Sequence, residues 1–216
     1  MLTFYHAPWS RSSAIFWLME ELGVDYRMEL VDIRAEGGVP EDYRAIQPNK
    51  KVPAIDHDGV VVTERAAIAI YLADTFPEAG LAPMIGDPAR GPYLTALVHH
   101  DAVFDPAICA KVHGLEYVSN DYPFGLYDDL IAYLERRLSE QPFAAGDRFT
   151  AADILLAAGI GYTMNILKGL PDRKMFRDYL ERTTDRPAYH RVQEKDAAMA
   201  AEIPALQRMM AQVKGT

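Results

Sequence analysis

A chain of 216 residues, half of them hydrophobic, is long enough to bury a substantial core and to form one or two domains. A formal net charge of −9 and a pI near 5.1 argue against nucleic acid as a partner. The one cysteine, Cys109, rules out an internal disulfide framework. That composition fits a reducing compartment. No apolar run, Ile154–Ile160 included, approaches a bilayer span, and the first residues enter a strand without a signal-peptide pattern. The expectation is a soluble cytoplasmic protein with no membrane contact.

In chain order, Thr3–Tyr5 reads as a strand, followed by a helix with Ile15, Leu18, Met19 and Leu22 on one face. Tyr26–Val31 reads as a second strand, and Gly37-Gly38-Val39-Pro40 as a loop. Pro53 has no N–H for a sheet, which places it at a strand start or a sheet edge. Asp58-Gly59 between Ile55 and Val60–Val62 signals a hairpin. Thr63-Glu64-Arg65 then opens a helix carrying Ile68, Tyr71, Leu72 and Phe76 at helical spacing. Residues 1–77 therefore form a small α/β domain. Residues 78–92 form a linker marked by Gly80, Pro83, Gly86, Pro88, Gly91 and Pro92.

Beyond the linker the pattern is helical, in Tyr93–Val118, Gly125–Ser139, Ala151–Ile166, Met175–Arg182 and Tyr189–Ala201, so 93–216 is expected to be an all-helical domain. Thr150 stands three residues before Asp153, the spacing of a capping box, and Asp153 is read as a fold determinant. His99, His100, Asp101, Asp105 and His113 match a metal cluster only by residue type. Their spacing puts no helical His-x-x-x-His or Glu-x-x-His pair on one face, so no metal is expected.

The stretch from Gln47 to Leu72 carries the chemistry. It sets Lys51, the backbone of Val52, Glu64, Arg65 and a helix N-terminus within one strand–hairpin–helix unit. A cation, an anion and unpaired helix N–H groups are what a zwitterionic peptide needs to be held. Lys51-Val52-Pro53, Glu64, Ile68, Tyr71 and Leu72 closely resemble the motif of the cytosolic glutathione S-transferase family, Asn-Pro-x-Gly-Lys-Val-Pro followed by Glu-Ser-x-Ala-Ile. Gln47 stands for the Asn, Lys50 for the Gly and Arg65 for the Ser.

The resemblance covers nearly the whole chain. It implies a thioredoxin-like N-terminal domain followed by an all-helical domain that supplies an electrophile pocket wall and dimer contacts. Glutathione would be the co-substrate and a small hydrophobic electrophile the second substrate. By the same resemblance Val52 pairs its backbone with the cysteinyl part of glutathione and Pro53 is cis. Lys51 takes the glycyl carboxylate and Glu64 the γ-glutamyl ammonium, while Arg65, at the family's serine position, either reaches the γ-glutamyl carboxylate or points outward and leaves it to backbone N–H groups. The implied biology is detoxification by a cytoplasmic homodimer, and the apolar segment Tyr93–Val118 is the expected interface and cleft wall.

A thiol with an ordinary pKa is protonated at neutral pH, whereas the thiolate is the nucleophile. A hydroxyl donor and a helix N-terminus both favour the anion. In the turn after the first strand the candidates are Ser10, as in serine-type members, with Ser12 and Ser13 close by. Tyr5 is the candidate of tyrosine-type members, and Arg11 offers charge alone. A cysteine-type mechanism is set aside, because the loop reads Ser10-Arg11-Ser12. Trp9, Phe104, Tyr117 and Tyr162 are candidate walls of the electrophile pocket, and Cys109 is expected to be a buried small hydrophobe. The rival readings are a non-catalytic binding or scaffold protein of the same fold and a glutathione-dependent reductase or peroxidase.

Overall fold

Strand β1 (Leu2–His6) occupies the middle of a four-stranded sheet in a computed structural model that describes residues 1–208. It runs parallel to β2 (Arg27–Leu30) and antiparallel to β3 (Ala54–His57), and β3 pairs with β4 (Val60–Thr63). A parallel neighbour requires a crossover, and helix α1 (Ser13–Leu22) provides it. The turn between β3 and β4 has Asp58 at φ 52° and Gly59 at φ 87°, the left-handed pair of a two-residue hairpin. Helix α2 (Arg65–Thr75) follows, its first bond running from the Ile68 N–H to the Glu64 carbonyl. The expected thioredoxin-like α/β arrangement is present.

The chain divides into two compact units. Residues 1–68 group with the segment beginning at Arg186, and Ala69–Asp185 form the other, so the division falls within α2. The second unit contains α3 (Arg90–His99), α4 (Asp105–Val112), α5 (Tyr127–Glu140), α6 (Ala151–Asn165) and α7 (Lys174–Thr184). Helix α3 starts earlier than the hydrophobic pattern indicates, because Asp87 accepts from the Ala89 and Arg90 N–H groups and nucleates the turn.

The expected single helix Tyr93–Val118 is interrupted. His100–Phe104 is a π-turn whose Asp105 N–H reaches the His100 carbonyl, immediately before Pro106, which has no N–H to continue the α-helical ladder. Helical structure ends at Val112, with Gly114 left-handed at φ 67°. Cys109 is half-buried on α4, more open than the sequence implied. Helix α6 is buried over most of its length, and at Gly159 a Cβ would stand 2.3 Å from His100 Cε1. Glycine is what leaves room there for the His100 and Phe104 rings against α6.

The Thr150–Asp153 capping box forms, and Asp153 is fully buried with further donors in the Ala144 N–H and the Tyr179 hydroxyl, at 2.7 and 2.8 Å. Burial pushes its carboxyl up against these donors. The structural role read from the sequence is the one the network shows.

Helix α8 (Pro187–Ala201) returns to the first unit and lies along α1. Trp17 and Tyr189 meet edge to face at 4.8 Å, and Arg186 grips Glu21 through two bonds of 2.6 and 2.7 Å. Glu20 accepts from Lys195, Arg191 and Tyr26. Burial opposes ionisation of Glu20, but these three donors overcome it and hold the carboxyl below its usual range. Beneath α1 the core consists of Phe4, Ile15, Phe16, Leu18, Met19 and Ile55. No helix among the described residues is long and apolar enough to cross a membrane.

Candidate active site

The turn from β1 to α1 is fixed from two sides. Pro8 has no N–H, and Trp9 sits at a left-handed φ of 53°. Arg34 donates to the carbonyls of Pro8 and Trp9 at 3.2 and 3.1 Å, while the Trp9 N–H reaches Asp196 at 3.3 Å. Ser10 then starts the helical turn. Its carbonyl accepts from the Ser13 N–H and its hydroxyl from the Ser12 N–H, both at 3.1 Å. Ser10 thus closes the turn just ahead of α1, whose N-cap residue is Ser12, and is half-exposed.

Ser12 occupies a different environment. It is fully buried, with Oγ 2.8 Å from His6 Nδ1 and 2.7 Å from Ser10 Oγ. The Ala7 N–H donates to the same oxygen at 3.1 Å. His6 is also fully buried, and its Nε2 lies 3.0 Å from the buried carboxylate of Asp196. Ser13 donates to the other Asp196 oxygen at 2.6 Å. Neither His6 nor Asp196 was singled out in the sequence. A histidine alternating with Phe4 on an inward strand face, in a turn region rich in hydroxyls, is the only local signal. Asp196 had none, because its partner is 190 positions away.

Tyr5 projects from the opposite face of the strand, since alternate side chains diverge. Phe4 and His6 contact Phe16 of α1, whereas the Tyr5 ring packs 5.7 Å from Tyr43. Burial, and then Asp56, push its phenol pKa up. The structure therefore brings Ser10 and Ser12 together and sets Tyr5 apart from them. Arg11 is exposed in the same turn as Ser10.

The second cluster is shaped by Gln47 and Tyr43. The buried Gln47 accepts from the Lys51 N–H at 3.1 Å, and the Tyr43 hydroxyl donates to the Lys51 carbonyl at the same distance. Lys50 has φ 54°, the left-handed backbone that the family's glycine supplies freely. Its ammonium is tied to the Val39 carbonyl and to Glu41 at 2.8 and 2.6 Å. Arg44 and Lys50 hold the Glu41 carboxyl down at about 2. Lys51 is exposed, Val52 half-buried, and the buried Pro53 follows a cis bond at the start of β3, as the resemblance implied. Glu64 is exposed at φ 68° directly before α2, and Arg65 is half-buried as the first residue of that helix.

A separate open groove of about 590 Å³, lined by Phe16, Glu20, Tyr26, Met28, Lys195 and Met199 among others, contains none of these candidates. Among the described residues, no group of three or more His, Cys, Asp or Glu is arranged to hold a metal ion.

Residues 8–75 match the sequence model of the glutathione S-transferase N-terminal domain, a span that includes every candidate for glutathione binding and for the thiolate donor except Tyr5. The chain is 30% identical to a glutathione transferase from Methylococcus capsulatus, with a TM-score of 0.71 over 92% of this chain and 100% of that one. A sphingomonad glutathione S-transferase solved in complex with glutathione is 26% identical, with a TM-score of 0.72 over 90% and 98% of the two chains. Glutathione S-transferase 3 of Schizosaccharomyces pombe is 26% identical over 215 residues, 90% of this chain and 88% of the relative. The chain belongs to the glutathione S-transferase family.

Proposed function

We propose that this protein is a glutathione transferase that binds glutathione on its first unit and uses the Ser10 hydroxyl to stabilise the thiolate. The observation that carries the proposal is the position of Ser10. It is half-exposed at the start of α1, and its oxygen is anchored by the Ser12 N–H and hydroxyl. Lowering a thiol pKa by about two units takes roughly 2.7 kcal/mol. A charge-assisted hydrogen bond of about 1.5–3 kcal/mol together with the helix N-terminus is of that size. The thiolate then attacks a small apolar electrophile by substitution or addition.

In this reading Val52 offers its backbone to the cysteinyl residue, and Lys51 and Arg11 supply positive charge, Lys51 to the glycyl carboxylate. Glu64 and Arg65 hold the two charges of the γ-glutamyl end. The left-handed Glu64 backbone supports this assignment, since such strain costs of order 1 kcal/mol or more and concentrates at ligand clamps. The test is calorimetric titration with glutathione followed by assay against a panel of electrophiles. Binding with conjugate formation is expected, and binding without turnover of any electrophile would favour the scaffold reading. The solved relatives, one of them in complex with glutathione, support the same reading.

We also place the protein in the cytoplasm, as a homodimer with a detoxifying role. One cysteine and a net charge of −9 suit a reducing aqueous compartment. Val98 on α3 and Val112 on α4 are exposed on a helical segment that a partner subunit would cover. Light scattering should return twice the 24.2 kDa chain mass at micromolar concentration, and the monomer mass would contradict the dimer.

A further inference from the structure

We infer that the buried chain Asp196–His6–Ser12–Ser10 is a proton relay that takes the thiol proton of bound glutathione into the protein and stores it on His6. The inference rests on the transferase reading for the location of the thiol. The rest comes from the hydrogen-bond geometry.

Four side chains lie in series, separated by 3.0 Å from Asp196 to His6, 2.8 Å from His6 to Ser12 and 2.7 Å from Ser12 to Ser10. The inner three are buried and only Ser10 reaches the surface, so the chain connects a buried imidazole to one exit. A purely structural serine at position 12 would be satisfied by the Ala7 N–H and carbonyl, both at 3.1 Å. The closer contacts to His6 and Ser10 make it a bridge as well.

Proton counting gives the chain two directions. With neutral His6, Nε2–H donates to Asp196 and Nδ1 accepts from the Ser12 hydroxyl. Ser12 in turn accepts from the Ser10 hydroxyl, which leaves a Ser10 lone pair for an incoming S–H. When the thiol ionises, its S–H bond breaks and the proton joins Ser10 Oγ. The Ser10 proton passes to Ser12, and the Ser12 proton forms an N–H bond at His6 Nδ1. No proton leaves the site. The product is an imidazolium held by Asp196, and every hydroxyl has turned round, so that Ser10 now donates to the thiolate. The same transfer that makes the nucleophile therefore also makes its hydrogen-bond donor. Once the thiolate has attacked, the proton passes back from His6 to Ser12 and from Ser12 to Ser10, and Ser10 gives its own to the leaving group in a substitution or to the anion of the adduct in an addition, so that His6 is neutral again when the conjugate departs.

The surroundings favour storage of one charge. The carboxylate facing His6 from α8 is Asp196, which also accepts from Ser13 and the Trp9 N–H. Glu20 of α1 is occupied by Lys195, Arg191 and Tyr26, and Glu21 by Arg186. Arg34 is directed to the Pro8 and Trp9 carbonyls. From the sheet and α1, the rings of Phe4 and Phe16 stand 5.3 Å from the imidazole. Apolar rings cover the imidazole, and Asp196 is the counter-charge in hydrogen-bond contact.

The deciding experiment is nitrogen-15 NMR of the His6 ring in the wild-type protein, read beside the ultraviolet absorbance of the thiolate. Without ligand at neutral pH, Nε2 should carry the proton and Nδ1 should not. Saturation with glutathione should produce the thiolate band and protonate both ring nitrogens together. S-methylglutathione, which has no thiol proton, should leave His6 neutral. Ser12→Ala should bind glutathione but leave His6 neutral and lose most of the thiolate band at that pH. A full thiolate band with His6 unchanged overturns the relay and leaves the transferase reading intact. No glutathione binding by the wild type removes both.

Discussion

His6 and Asp196 stand 190 positions apart in the chain, yet their side chains meet at 3.0 Å in the interior, one at the end of β1 and the other on α8. Asp196 gathers three donors, from His6, Ser13 and the Trp9 backbone. Its removal strands all three. Asp196→Ala should destabilise the protein by about 1–3 kcal/mol for each buried donor left without its acceptor. Asp196→Asn, which retains one acceptor oxygen, should cost less. Urea denaturation of the two variants beside wild type checks the order, and a midpoint unchanged in Asp196→Ala would refute the pairing.

The α/β half was legible because its signals are local. Asp58-Gly59, Pro53 and the alternation within β1 each follow from one or two residues. The capping box of α6 was legible for the same reason. The candidate site was legible where the family motif runs through Lys51, Val52, Pro53, Glu64 and Arg65. Lys50 was legible only as a departure, and its φ of 54° supplies the reason that a turn conformation is required there. The π-turn was hidden, because Pro106 at the start of a helical segment does not reveal which bond replaces the one it removes. Asp196 was invisible in principle. On an exposed-looking Lys195-Asp196 pair, only the packing of α8 on α1 shows which residue turns inward.

The ring of His99 stacks 4.3 Å from Tyr133, and burial pushes its pKa below the ordinary value. The folded protein then binds fewer protons than the unfolded chain below the unfolded value of about 6.5. Stability supplied by this site is complete above about pH 6.5 and is lost as pH falls through the lower folded value. His99→Phe keeps the stacking and removes the titration, so its stability should fall less between pH 7 and pH 5 than that of wild type. Parallel denaturation midpoints for the two proteins across that range would contradict the assignment.

Glu64 combines exposure, a left-handed backbone and a place at the start of α2. Glu64→Ala should weaken glutathione binding by roughly 1.5–3 kcal/mol, the range of a charge-assisted hydrogen bond. The loss should largely disappear for a glutathione analogue that lacks the γ-glutamyl ammonium. Calorimetry with both ligands separates a direct contact from a general disturbance of the loop. Equal binding of glutathione by variant and wild type would exclude Glu64 from the site.

The most direct test of the central claim is the pH titration of the thiolate absorbance of bound glutathione in wild type, Ser10→Ala and Tyr5→Phe. If Ser10 stabilises the thiolate, Ser10→Ala retains glutathione affinity while its titration midpoint moves up by about 1–2 units, the equivalent of a lost bond of about 1.4–2.7 kcal/mol. Turnover at neutral pH should fall by about 10- to 100-fold with it. Tyr5→Phe, altered on the opposite face of β1, should titrate as wild type does. A midpoint that stays in place in Ser10→Ala and moves in Tyr5→Phe would contradict the account and assign the thiolate to the tyrosine.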